Sequence, residues 1–485
     1  MNEQLTSPFT EENIQRLFGN EAGESESIER LKEYYFKTPI FDQVASNLPL
    51  RILVGHKGIG KSALFKIAMD EDPAKKRLPI LIRPDDIYGI AEIDDSLLSL
   101  IKQWKLGLLQ IIGEKIISSF GIETEIDSAS YLRKGSRVLS FLAESILAVK
   151  EHWNLDHTKK SILEHFLKSH QVVVYIDDLD RGWEGRRQDI KRVSALLNAA
   201  RDLSSDLEGL SFRISLRSDV YYLVRTSDES TDKVETSVIW YSWTNHEILT
   251  LLAKRVQTFF DKPFDDDFFA ALPQDSVAQF INSVVEPRFF GRGNWQNIPT
   301  YRMMMSLIRR RPRDLVKLCT LAARQAFLDK SNLIGTKHFE SIFSDYSLGR
   351  IQDAVNEYKT EMPEIQKLLF GMKPTKKEKT TKEGYVFRTD EILQKLTNLS
   401  SQNAFIFADG SKATPKDLLH FLYKINFLTA RMELPNGTID RKYFEENRYI
   451  SGQFTDFGYA WEIHPAYRWA LQPENIQDII SNIEK

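Results

Sequence analysis

Cysteine is almost missing: Cys319 is the only one among 485 residues. One thiol excludes an intramolecular disulfide and a thiolate zinc cluster, and it fits a reducing compartment. Its place in an apolar helical pattern reads as a small buried residue. Long hydrophobic runs are lacking too. No stretch approaches the roughly 18 uncharged apolar residues that a membrane-spanning helix needs. The N-terminal MNEQLTSPFTEENIQRLFGNEAGESE is polar and acidic, without the basic-then-apolar order of a signal peptide. The reading is a cytoplasmic protein with no membrane partner. An excess of one charge is also missing, since 65 Lys+Arg against 68 Asp+Glu leave a net charge of −3. That does not imply whole-molecule attraction to nucleic acid, although a local basic face is compatible with a near-neutral total. The nine histidines are scattered, and His420 and His464 lack ligand-type neighbours, which argues against a separate catalytic site.

What is present is ordinary globular composition, 42% hydrophobic and 27% charged, in a chain long enough for about three domains. Residues 1–47 carry apolar positions at three- and four-residue spacing and read as an N-terminal helical extension. Short apolar runs follow at LPLRILVG (48–55), LPILIRPDD (78–86), QVVVYIDD (171–178), LSFRISLRSD (210–219) and TSVIWYSW (236–243). Helical stretches separate them, the longest running from about residue 95 to about 169. Strands alternating with helices predict an α/β core, residues 48–245, with a mostly parallel sheet. Residues 246–370 read as helix after helix. GMKPTKKEKTTKEG (371–384) reads as a solvated lysine-rich linker. Residues 385–485 read as a small module of helices followed by short strands around NGT and DFGYAWEIHP.

The chemistry is concentrated in two places. GHKGIGKS fits G-x-x-x-x-G-K-[ST], with Gly55, Gly60, Lys61 and Ser62 between a strand and a helix. Glycine lets the backbone curl around an anion, and successive N–H groups with the helix N-terminus then face phosphate. Lys61 is expected to reach the β- and γ-phosphates, and the Ser62 hydroxyl to ligate Mg²⁺. Gly58 and Ala63 complete the nucleotide-binding set. More than a hundred residues later, VVVYIDDLDR runs an apolar strand into acids. Asp177 is the expected Mg²⁺ carboxylate. The base that polarises the attacking water is left open between Asp178 and Asp180, because Asp178 is one methylene shorter than the glutamate common at that place. FRISLRSD is expected to lie between these strands and to bring Arg217, Ser218 or Asp219 near the γ-phosphate. RRRPRDL starts a helix with Arg311 and Arg313, of which Arg313 is the expected contact to the nucleotide.

Together these landmarks resemble the AAA+-related P-loop ATPases of the origin-recognition and STAND/KAP neighbourhood. They are similar in particular to a bacterial ATPase family often found beside mobile or phage-defence genes. The matching elements are YYFKTP with Phe36 and Thr38, IDDLDRGW (176–183), LRSDVY (216–221), Trp243, RPRDL (311–315) and HPAYR (464–468). AGESES departs from that family's acidic element at Gly23. The resemblance covers about residues 18–330 well and the rest thinly. It implies a sheet in the order 5-1-4-3-2, a helical lid, a winged-helix-like C-terminal module and self-association. No N-K-x-D guanine element is present, so ATP with Mg²⁺ is the expected ligand pair. ISGQF (450–454) echoes a transporter-type signature but follows the acidic strand instead of preceding it, and is set aside.

Three functions follow as expectations. The first is an ATP-hydrolysing switch that regulates a protein effector in a defence or mobile-element setting. The second is a DNA-remodelling ATPase contacting duplex through residues 385–471, where Lys412, Lys416, Lys424, Arg431 and Lys442 are offset by Glu433, Asp440, Glu445 and Glu446. The third is an ATP-dependent scaffold with little turnover.

Overall fold

The five apolar runs become one parallel sheet. The computed structural model describes residues 9–20, 26–91, 96–119, 167, 171–227, 229–375, 384–435, 439–446 and 459–471. Its strands are β1 (Leu50–Val54), β2 (Arg77–Ile82), β3 (Gln171–Ile176), β4 (Leu210–Leu216) and β5 (Val238–Trp240). They lie in the order β2-β3-β4-β1-β5, with every neighbouring pair parallel. This is the expected 5-1-4-3-2 order, with β4 between β1 and β3. Near-continuous Val, Ile and Leu suit strands covered on both faces. Val172 to Ile176 are all buried, as are Ile52, Leu53 and Val54. The helices Lys61–Glu71 and Arg187–Asp206 follow β1 and β3 in the chain and bury Leu64, Phe65 and Ile67, and Val193, Leu196 and Leu197 respectively.

One polar group inside this sheet was not legible from the pattern. Arg213, in the middle of β4, is 1% exposed. It donates to the carbonyl oxygens of Val44 (2.6 Å) and Leu48 (2.9 Å), which tie the segment before β1 onto the sheet. Burial lowers its pKa to about 10. Tyr175 of β3 donates to the Asp72 carboxylate at 2.8 Å.

By their contacts the described residues fall into two bodies. The sheet body comprises those within Pro39–His56 and Lys61–Tyr241. The helical body comprises those up to Thr38, Lys57–Gly60 and those from Ser242 on. The phosphate-loop tip, Lys57–Gly60, is thus counted with the helical body.

The helical body holds the helices Glu11–Phe18, Ile28–Tyr34, Asn245–Phe259, Thr300–Leu307, Pro312–Leu328, Thr336–Tyr358 and Ile365–Gly371 among others. Cys319 is fully buried on one of them, and burial pushes its thiol pKa up to about 12. The region expected to be purely helical also contains a hairpin, β6 (Arg288–Phe290) with β7 (Gln296–Pro299). Pro287, Gly291 and Gly293 interrupt helical periodicity there, and Phe289 packs edge-on against Trp295 at 5.7 Å.

The C-terminal part carries β8 (Val386–Phe387), β9 (Leu428–Glu433), β10 (Ile439–Lys442) and β11 (Ala460–Ile463). They form an antiparallel sheet in the order β10-β9-β11-β8. The helices Thr389–Gln402 and Pro415–Lys424 accompany it. Most of AGESES, the expected helix from residue 120 to 169 apart from Leu167, residues 376–383 of the lysine-rich stretch, NGT (436–438) and ISGQF lie outside the described residues. No helix among the described residues is long and apolar enough to cross a membrane.

Candidate nucleotide site

The phosphate loop grows directly out of the sheet. Gly55 N–H donates to Leu216 O at 3.1 Å, which carries the β1–β4 ladder one step past the strand. Gly58 and Gly60 then take φ of +79° and +106°, the left-handed region where glycine is at ease and other residues are strained. The helix Lys61–Glu71 starts immediately afterwards, with no acidic side chain in its first turn to compete for its positive end. Lys61 Nζ donates to the carbonyl oxygens of Gly55 (2.8 Å) and His56 (3.2 Å). Ser62 and Ala63 follow, half-buried. His56 is 1% exposed and shares a hydrogen bond with Ser218 Oγ at 3.0 Å, which links the loop to the end of β4.

The acids gather at the ends of β3 and β4 in the same sheet body. Asp177 N–H donates to Ile82 O at 3.2 Å, and its carboxylate accepts from Ser215 Oγ of β4. Asp178 is exposed and has φ +61°. Non-glycine residues at such angles are uncommon, and they concentrate at functional sites where the surroundings hold them in place. Arg217 is 8% exposed and clamps two carboxylates: its Nε donates to Asp219 at 3.0 Å and its Nη1 to Asp180 at 3.2 Å. Asp180 is thus bound by Arg217, and Asp178 stands at an exposed position of the turn.

In the helical body, RRRPRDL behaves as its pattern indicates at the helix end and differently in its side chains. Arg311 is the N-cap of the helix Pro312–Leu328, with proline at the first helical position. Arg313 packs on the loop tip, with its N–H donating to Gly58 O at 3.3 Å. A Cβ at Gly58 would sit 2.9 Å from Arg313 Cβ, so the close approach requires glycine. Trp243 Nε1 donates to Ile59 O at 2.8 Å. Arg311 is 2% exposed, and its Nη1 reaches Glu357 at 3.1 Å and Lys57 O at 3.4 Å. Burial and neighbouring Arg309 work against its charge, yet Glu357, Tyr358 and Asp314 outweigh them and hold its pKa above the usual value. Glu357 also accepts Lys57 N–H at 3.1 Å. Nothing in the local sequence marked Glu357, which follows Lys57 by 300 residues.

Two motifs of the resemblance prove to be internal braces. The fully buried Asp314 of RPRDL holds Arg309 at 2.7 Å and Arg350 at 2.5 Å, and Arg309 also donates to Tyr467 Oη at 2.8 Å. Burial would raise the Asp314 pKa, but Arg309 and Arg350 keep it well below the carboxylate range. In HPAYR, His464 Nδ1 accepts Ala466 N–H at 3.1 Å, while the fully buried Arg468 pairs with Glu462. The C-terminal basic set is corrected in the same way. Lys424 is 3% exposed and paired with Glu361, and Arg431 is 8% exposed. Neither is presented to a nucleic acid, because helix and strand packing direct both inward. Lys412 and Lys416 remain exposed and Lys442 half-buried.

No family model matches the chain. A protein of Escherichia coli (strain K12), named provisionally as an 80.3 kDa protein of transposon gamma-delta, is 22% identical over 518 residues. That alignment takes in 95% of this chain and 69% of the relative. Among solved structures, the Aeropyrum pernix ORC2 protein in its ADPNP–ADP complexes is similar at 11% identity, with a TM-score of 0.38 and 92% and 93% of the two chains covered. The Thermotoga maritima RuvB Holliday junction branch migration motor is similar at 11% identity, TM-score 0.33, covering 89% and 98%. The fold assignment stands on the strand order and the loop geometry of this chain.

Proposed function

We propose that the chain is an Mg²⁺-dependent ATPase that works as a switch on a protein effector. The observation that carries the reading is the glycine loop, which leaves β1 at two left-handed glycines and enters a helix at Lys61, in a sheet where β4 alone separates β1 from the carboxylates of β3. The loop geometry fits a polyphosphate: Gly58 and Gly60 curl the backbone at left-handed φ immediately before the helix that starts at Lys61, whose first turn carries no acidic side chain.

In this reading Gly55, Gly58, Gly60, Lys61, Ser62 and Ala63 hold the phosphates, and Arg313 sits on the same loop tip. Ser62 and Asp177 would hold Mg²⁺, which when bound neutralises charge on the phosphate oxygens. The Ser215 hydroxyl fixes the rotamer of Asp177 from the neighbouring strand. Asp178 takes the proton of the water that attacks the γ-phosphorus as the bond to the ADP oxygen breaks. Its exposure and its left-handed backbone support it as the base. Arg217 then orders the acid turn.

The switch reading is favoured over the DNA-remodelling one by the burial of Lys424 and Arg431. The relative named for a transposon supports a mobile-element setting, in which control of a nuclease-type effector and self-association would be at home. The division into N-terminal extension, P-loop core, lid, linker and winged-helix-like module is proposed with it. Direct ATP binding tests the assignment: Lys61→Ala is expected to abolish it, and retained affinity would refute the phosphate-loop reading.

A further inference from the structure

We propose that the buried Glu357–Arg311 pair is a clamp that presets the curve of the phosphate loop and thereby sets its affinity for a nucleotide's phosphates. The inference rests on the phosphate-loop reading of residues 55–62. Three consecutive carbonyls of the loop tip are each held by a donor: Lys57 O by Arg311 Nη1 (3.4 Å), Gly58 O by Arg313 N–H (3.3 Å) and Ile59 O by Trp243 Nε1 (2.8 Å). The chain contains no cis peptide bond among the described residues. In a planar trans peptide the C=O of one residue and the N–H of the next point in opposite directions. Anchoring those three carbonyls therefore turns the N–H groups of Gly58, Ile59 and Gly60 the other way, as an anion-binding nest requires.

Glu357 completes the grip from the N-terminal side by accepting Lys57 N–H at 3.1 Å while it holds Arg311 at 3.1 Å. Both peptide groups of Lys57 are thus fixed by one ion pair. In the Asp314 brace all three guanidinium nitrogens of Arg309 find acceptors. Arg311, at 2% exposure, leaves Nε and Nη2 without partners among the described residues, which is a poor stabiliser and a good positioner. Because Arg311 balances the carboxylate, the clamp adds little net negative charge beside the phosphates. Glu357 is a positioning residue and touches no reacting atom.

The test combines hydrogen exchange of the nucleotide-free protein with ATP affinity and turnover, for Glu357→Gln and Glu357→Ala. Glu357→Gln keeps the shape and an acceptor, so it retains the fold if the alanine variant does not. The expected result is faster exchange across residues 55–62 in both variants, more in the alanine one. ATP affinity should weaken by about tenfold through lost preorganisation, with kcat at saturating ATP little changed. A lowered melting temperature with loop exchange and affinity unchanged would overturn the clamp. Loss of the phosphate-loop reading itself would show instead as wild-type protein that fails to bind ATP, while loop exchange still reports on the clamp.

Discussion

The chain carries two arginine–aspartate motifs, LRSD in the sheet body and RRRPRD in the helical body, and they serve different ends. Arg217 holds Asp219 two residues on and Asp180 across the turn, and so ties a buried acid at the end of β4 to a half-buried one after β3. Arg309 holds Asp314 five residues on inside a fully buried cluster with Arg350 and Tyr467. The same pairing of residue types therefore positions chemistry in one body and fixes packing in the other. Both motifs are buried at Arg217–Asp219 and at Arg309–Asp314, and the difference lies in the neighbours: Arg217 also reaches the half-buried Asp180 at the end of β3, whereas Asp314 is shared by two buried arginines.

The buried cluster gives the larger expected effect on stability. Asp314→Ala leaves Arg309 and Arg350 buried without their shared carboxylate and is expected to cost about 3–5 kcal/mol, read by denaturant unfolding followed in the helical body. Disrupting Arg217 should cost less, because one buried acid, Asp219, loses its partner where Asp314→Ala strands two buried arginines. If the two substitutions cost the same, the contrast between them fails.

A smaller effect, inside the helical body, depends on pH. His464 is buried, and burial pushes its pKa down to about 3. Its Nδ1 already accepts Ala466 N–H, so the neutral ring keeps its proton on Nε2, 3.0 Å from Tyr443 Oη, and protonation would set two N–H groups against each other. The unfolded imidazole takes up a proton below its model value of 6.5 while the folded one does not. Stability should therefore fall as pH drops from 6.5 toward 3, by about 2 kcal/mol on reaching pH 5. The Asp314 cluster is unaffected over that range, because its carboxyl stays ionised to well below 3.8. Unfolding measured at pH 7 and pH 5 checks this, with His464→Asn expected to flatten the difference.

Much of the sheet body was legible because its signals are local. Apolar runs of strand length, two glycines before Lys61 and three aspartates after β3 each state their role within a few residues. The 5-1-4-3-2 order came from the family likeness rather than from spacing. The helical body resisted for the opposite reason. Glu357, Lys424 and Glu462 look like ordinary surface charges in sequence, and only their distant partners Arg311, Glu361 and Arg441 show that they are buried. The β6–β7 hairpin was missed because its strands, of three and four residues, are too short to show an alternation.

The central claim is that the acid turn after β3 hydrolyses ATP, with Asp178 as the base. ATP turnover by the purified protein, with Asp177→Ala as the blank, tests it most directly when Asp178→Asn and Asp180→Asn are run beside the wild type. Wild-type turnover, loss of turnover with retained ATP binding in Asp178→Asn, and substantial turnover in Asp180→Asn are the predicted outcome. Normal hydrolysis by Asp178→Asn, or no turnover by the wild type although it binds ATP, would contradict it.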